Sequence, residues 1–178
     1  EAMLDFQFEV LTTYLNNGKR KPQRSNYNNA HAYLAAPYGI YKTKDAYIAL
    51  SMTPIPSLGE LIKLDSIKKF TDKNDWFVKR DEIKELIGNH MITNSTQHWL
   101  DILQPADVWC SEVLEWNQML DHEGFKVIDM LQRIRRSDGL DIETLRCPIR
   151  FNDTIFKSDI AAPKIGQHTY AIEKEFNL

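Results

Sequence analysis

Ala36-Pro37-Tyr38-Gly39-Ile40-Tyr41-Lys42-Thr43-Lys44-Asp45-Ala46-Tyr47-Ile48-Ala49-Leu50 is the stretch on which the fold turns. Two short runs, residues 38–43 and 47–52, are rich in aromatic and branched side chains and flank Lys44, Asp45 and Ala46. That composition predicts a β-hairpin. Alanine at position 46 calls for a turn that does not need positive φ there.

Upstream of the hairpin the chain turns polar. Residues 19–36 carry Asn26, Asn28 and Asn29 around Tyr27 and read as a linker. The short basic run Lys19, Arg20, Lys21 and Arg24 within it reads as a solvated stretch. Before the linker, Leu4, Phe8, Leu11 and Leu15 recur at helical spacing, and the pattern stops at Asn16, Asn17 and Gly18. No capping residue precedes Glu1 and Ala2, so the expectation is a helix that starts further upstream and a chain cut at that point.

Downstream, Pro54 and Pro56 close the second run, and Leu58, Leu61 and Ile62 predict a helix from Pro56 or Ser57. Further helices are expected over 79–87, closed by Gly88, over 95–103, entered through Thr93, Asn94 and Ser95, and over 111–120. Strands are expected over 131–136 and 142–146 around Ser137, Asp138 and Gly139, an Asp-Gly pair that favours a hairpin. A loop through Pro163 and Gly166 leads to a short last helix from His168 or Thr169. Strand pairs mixed with helices, without regular βαβ alternation, place the chain in the α/β or α+β class.

The totals are those of an ordinary globular protein: 178 residues, 43% hydrophobic and 26% charged. A net charge of -3 argues against a nucleic-acid partner. No apolar run is long enough to span a bilayer, no membrane partner is expected, and the reading is a cytoplasmic protein. Cys110 and Cys147 belong to no paired motif and read as reduced structural thiols. The histidines 31, 90, 98, 122 and 168 form no i, i+4 pair, so no metal site is expected. Trp99, Trp109 and Trp116 fall on or beside apolar helix faces and read as core residues.

The hairpin stretch resembles the entry to the small domain of the family III CoA-transferases, the family of formyl-CoA and carnitine CoA-transferases and of α-methylacyl-CoA racemase. Four further pieces follow in that family's order. They are Trp99 in a helix, Asp107-Val108-Trp109-Cys110, Arg146-Cys147-Pro148-Ile149-Arg150-Phe151, and Ala162-Pro163-Lys164-Ile165-Gly166-Gln167-His168-Thr169. Ala46 stands where the family has a turn glycine, and Gln167 where it has a glutamate. The resemblance covers nearly the whole chain but maps onto the later part of the family polypeptide, without the Rossmann-like half that supplies most CoA contacts.

The resemblance implies a division of the chain: 1–18 as a helix of the large domain, 19–36 as linker, 37–130 as small domain, and 131–178 as a hairpin and segment returning to the large domain. It implies transfer of CoA from an acyl-CoA to a carboxylic acid. An active-site aspartate attacks the thioester and forms an enzyme-acyl anhydride. The family's Asp-Ala-x-Leu matches Glu1-Ala2-Met3-Leu4, which puts Glu1 at the nucleophile position; its plainer reading is a first-turn glutamate favouring a helix N-terminus. Asn29 and His31 match an Asn-x-His segment and are implied to line the acyl pocket, against a packing role for His31. His168 is implied to hydrogen-bond at a domain junction.

No cofactor is implied beyond the coenzyme A thioester, which is the substrate. The implied partners are an acyl-CoA, a carboxylic acid and a second copy in an interlocked homodimer. A racemase is the alternative within the family, but its extra glutamate after the second hairpin strand falls here on Thr53 or Pro54, neither of which titrates suitably. A non-catalytic dimerisation and lid unit is the other alternative.

Overall fold

A computed structural model of the chain describes residues 2–27, 31–136 and 138–178. The chain divides into two compact units, Glu1–Val113 and Leu114–Leu178. The expected hairpin lies at the centre of the first. Strands β1 (Gly39–Lys42) and β2 (Tyr47–Leu50) pair antiparallel, with Tyr41 opposite Ile48 and Ile40 opposite Ala49. Opposed residues share a face. Tyr41, Ile48 and Leu50 are buried on one side, while Ile40 and Ala49 face the other.

The buried face packs on a helical layer. That layer contains α3 (Ile55–Leu61), α4 (Asp65–Lys68), α5 (Lys73–Val78), α6 (Arg80–Met91) and α7 (Thr96–Leu103). Ile55, Leu58, Ile67, Ile83, Ile87, Met91, Trp99 and Leu103 close the core against the sheet. Complete burial of an aliphatic or aromatic side chain contributes about 1.5–3 kcal/mol, so this layer outweighs the low helix propensity of its short pieces. The Tyr41 hydroxyl donates to Pro37 O at 2.6 Å. Burial, with the Tyr27 phenol adding to it, drives the Tyr41 pKa far above its ordinary value.

The hairpin turn is fastened to the start of α7. Asp45 accepts from Thr96 N at 2.8 Å and from the hydroxyls of Thr96 and Thr43 at 3.1 Å each. Lys44 N donates to Asn94 O at 2.9 Å, and Ser95 caps α7 through His98 N. Asp45 thus serves a helix end as well as a turn, which fixes the loop without glycine at position 46.

Three sequence expectations change. Residues 111–120 are not one helix: β3 (Cys110–Glu112) pairs antiparallel with β2, Leu50 opposite Cys110 and Ile48 opposite Glu112. Ser51 N donates to Trp109 O and Val113 N to Tyr47 O, so the free edge of β2 gives this segment backbone partners that a helix start would leave unmet. The helix begins later, as α8 (Trp116–Asp121), with a capping box between Glu115 and Gln118. Gly88 does not close α6; the helix runs on to Met91. The long first helix is two pieces, α1 (Ala2–Asp5) and α2 (Phe8–Asn16), and α2 has no buried residue.

The second unit holds α8, α9 (Glu123–Val127), the hairpin β4 (Leu131–Arg135) and β5 (Asp141–Leu145), the short pair β6 (Arg150–Phe151) and β7 (Thr154–Ile155), and α10 (Thr169–Phe176). The β4–β5 hairpin and the last helix are where the sequence puts them; Ser137 lies outside the described residues. Arg146 is buried and its guanidinium binds the carbonyls of Asp129, Ile128 and Cys147 at 2.6–2.7 Å. The Arg146-Cys147 motif is therefore a clamp on the loop before β4.

Candidate functional site

The expected site residues Glu1 and Asn29 lie outside the described residues. His31 is described and sits half-buried beside the hairpin entry. Its Nδ1 accepts from Tyr33 N at 3.1 Å, which leaves the neutral ring's proton on Nε2. Nε2 lies 4.0 Å from the Glu9 carboxylate on α2. The ring meets that of Tyr38 edge-on, centroids 6.4 Å apart at 81°.

Tyr38 in turn borders a hollow of about 590 Å³ on the outer face of the sheet. Ile40, Ala49 and Ser111 occupy one cross-strand row there, and Trp109 and Ser51 also line it. Trp109 is 74% exposed, where the sequence reading makes it core; only Trp99, at 2%, is buried as expected, and Trp116 is 79% exposed. The reason is the pleat: Trp109, Ser111 and Val113 point away from the core as the chain runs along β2. Cys110 points inward against the core, and its burial pushes the thiol pKa up. Cys147 is exposed rather than a core thiol.

Gln23, Ser25, Asn26 and Tyr27, in the polar stretch expected as linker, are fixed to α6. Asp81 accepts from Ser25 Oγ at 2.6 Å and Asn26 N at 2.9 Å through Oδ1, and from Asn26 Nδ2 at 3.0 Å through Oδ2. Ser25 Oγ is also 2.6 Å from Tyr27 O, so its single proton serves one acceptor at a time. Arg80 donates to Gln23 O and to Phe77 O, and its guanidinium lies 4.1 Å over the Phe77 ring. Tyr27 lies against Gly88, where a Cβ would meet Cε1 at 2.8 Å. Gly88 is a place of close approach, which is why a glycine stands inside a helix.

Burial works against a charged Asp81, but hydrogen bonds from Ser25, Asn26 and Tyr27, with Arg80 beside it, hold its pKa below the ordinary carboxylate value. Lys84, one turn on, is fully buried; burial first and the Arg80 charge second lower its pKa. None of these residues stands out in sequence, because a charged residue on an amphipathic helix reads as solvent-facing. Asp81 four residues before Glu85 and one after Arg80 gives no signal of a partner on the far side of the hairpin. Among the described residues no cluster of His, Cys, Asp and Glu is placed to hold a metal ion, and no helix is long and apolar enough to cross a membrane. The His168 side chain makes no capping hydrogen bond to α10.

A half-buried imidazole meets the Tyr38 ring that borders the hollow, on a small mixed α+β unit. The chain belongs to CoA-transferase family III, whose family model matches residues 1–169. It is similar to the cinnamoyl-CoA:phenyllactate CoA-transferase of Clostridium sporogenes, 24% identical over 76% of this chain and 35% of that protein. It is also similar to the (R)-2-hydroxy-4-methylpentanoate CoA-transferase of Clostridioides difficile, 24% identical over 53% of this chain and 24% of that protein. The fold matches the crystal structure of a CAIB/BAIF family protein from Brucella suis with a TM-score of 0.60 at 22% identity, over 95% of this chain and 44% of that one. The chain thus spans about a third of the first of these curated relatives.

Proposed function

We propose that this chain is the later part of a CoA-transferase that moves CoA between an acyl-CoA and a carboxylic acid. The observation that carries the reading is the family match over residues 1–169, supported by two relatives named as CoA-transferases. Glu1 is the nucleophile in this account. Its carboxylate attacks the thioester carbonyl, the C–S bond breaks, CoA leaves as the thiolate, and the acyl group remains on Glu1 as a mixed anhydride. The CoA thiolate then attacks the Glu1 carbonyl of the anhydride, which releases the original acid as its carboxylate and leaves CoA as a thioester on Glu1. The incoming carboxylate displaces CoA to form a second anhydride, and the CoA thiolate attacks its acyl carbon, giving the new acyl-CoA and free Glu1, so no oxidant or external proton is consumed. A fixed carboxylate suits this exchange because positioning compensates for weak nucleophilicity.

Asn29 and His31 are assigned to the acyl side of the pocket. The Nε2 proton of His31 is the donor this account gives to an acyl or carboxylate oxygen. The hollow beside Tyr38 and Trp109 suits the hydrocarbon part of the acyl group. In the same proposal residues 1–18 belong to a large domain, 19–36 link it to a small domain of residues 37–130, 131–178 return to it, and the working unit is a homodimer.

The test is incubation of the full-length protein with a panel of acyl-CoAs, cinnamoyl-CoA and 2-hydroxyacyl-CoAs among them, and isotopically labelled carboxylic acids. The account predicts labelled thioester. Exchange of the α-proton with solvent and no new thioester overturns it in favour of a racemase. Neither reaction with any substrate overturns it in favour of a non-catalytic unit.

A further inference from the structure

Ser25 and Asn26, a few residues ahead of His31 in the chain, converge on one carboxylate. Asp81 takes a hydroxyl, a backbone amide and a side-chain amide within 3.0 Å, all from these two residues. Arg80 holds Gln23 O beside it, and Tyr27 is seated on Gly88 two turns along the same helix. Helix α6 is itself locked into the core by Ile83, Ile87 and Met91. A rigid element therefore holds a polar segment at its centre rather than at its ends. After Ala32, buried again, the chain enters the hairpin.

A surface carboxylate that only improved solubility would not accept three hydrogen bonds from residues so far away in sequence. Asp81 stands in the first turn of α6, where its charge also favours the helix N-terminus, but it is not the N-cap, and its side-chain bonds run outward to Ser25 and Asn26 rather than to the amides of α6. The geometry points to Asp81 as a positioning residue that sets the segment carrying His31, and so the acyl side of the pocket, without touching substrate itself. This inference rests on the proposed assignment of His31 to substrate binding. Loss of one charge-assisted hydrogen bond set of this kind corresponds to about tenfold in an equilibrium constant.

The experiment uses the full-length protein with Asp81→Asn, and with the swap Asp81→Asn combined with Asn26→Asp. Asparagine keeps the size and one acceptor oxygen but turns an amide toward the Asn26 amide; the swap restores an amide-to-carboxylate pair with the roles exchanged. Steady-state CoA transfer and hydrogen exchange of peptides spanning residues 20–34 are measured for each. Asp81→Asn should raise KM for the acyl substrate about tenfold with kcat within about twofold, and speed exchange in 20–34 while peptides of α6 and α7 stay protected. The swap should recover both. Unchanged KM and exchange overturn the inference, as does a fall in kcat at constant KM, the mark of fewer folded molecules. If the wild-type protein transfers no CoA, the proposed function falls; faster exchange confined to 20–34 then still supports the holding role of Asp81, and its absence still overturns it.

Discussion

Gly88→Ala sets helix propensity directly against packing. In an open helix interior the change stabilises by about 1 kcal/mol, because alanine loses less backbone entropy on folding. Here the new Cβ would stand 2.8 Å from Tyr27 Cε1 and 2.9 Å from Cζ, and nearer still to the phenol oxygen. Relaxed carbon contacts lie at about 3.5–4.0 Å, so the ring must retreat by roughly 1 Å or leave its seat. Overpacking of that order costs about 1–3 kcal/mol, which leaves a net loss of about 1 kcal/mol after the propensity gain. Urea unfolding followed by tryptophan fluorescence should show a lower midpoint at unchanged slope. The double variant Gly88→Ala with Tyr27→Ala removes the obstacle and should be more stable than Tyr27→Ala alone by about 1 kcal/mol. A midpoint for Gly88→Ala above that of the wild type would refute the seating of Tyr27 on α6.

The tryptophans give a second contrast. Trp99→Ala should cost about 3–5 kcal/mol by opening a core cavity, whereas Trp109→Ser should change stability by no more than about 0.5 kcal/mol, both read from denaturant midpoints. Asp45 is held below its ordinary pKa chiefly by the Thr96 backbone amide, against the effect of burial. Its folded value lies under its unfolded one, so its contribution is complete above the unfolded value of about 3.9 and is lost as pH falls through the folded value. Melting temperature should therefore drop on acidification below about pH 4, and less steeply in Asp45→Asn than in the wild type. In the second unit, Arg146→Ala removes a buried guanidinium that binds three carbonyls and should cost about 2 kcal/mol, while Arg133→Ala, which breaks only the exposed pair with Glu143, should cost under about 1 kcal/mol; thermal melts of the two variants decide.

The parts of this fold legible in sequence are those set by near neighbours. Period-two composition on either side of Asp45 marks β1 and β2, Ser95 marks the start of α7, and Gly166 with Thr169 marks the last helix. What escaped was decided by partners far away along the chain. The segment from Trp109 to Val113 has helical-looking spacing with Trp116 and Leu120, but an open edge on β2 claims its backbone. Gly88 looks like a helix terminator until Tyr27 is seen against it. Asp81 looks solvated until Ser25 and Asn26 arrive from the linker, and the hollow beneath Trp109 exists only once β3 has turned that ring outward. The family motifs are readable because they are contiguous runs; the pairing of Asp81 with Ser25 and Asn26, brought together from far along the chain, is not.

Hydroxylamine capture followed by peptide mapping tests the proposed chemistry most directly. The full-length protein is mixed with acyl-CoA alone, quenched with hydroxylamine, digested, and searched for hydroxamates at every Asp and Glu. The account predicts a single substoichiometric-to-stoichiometric hydroxamate on the peptide that contains Glu1, dependent on acyl-CoA and lost in Glu1→Gln while the melting temperature is unchanged. A hydroxamate on another carboxylate, or capture as strong in Glu1→Gln as in the wild type, would contradict it.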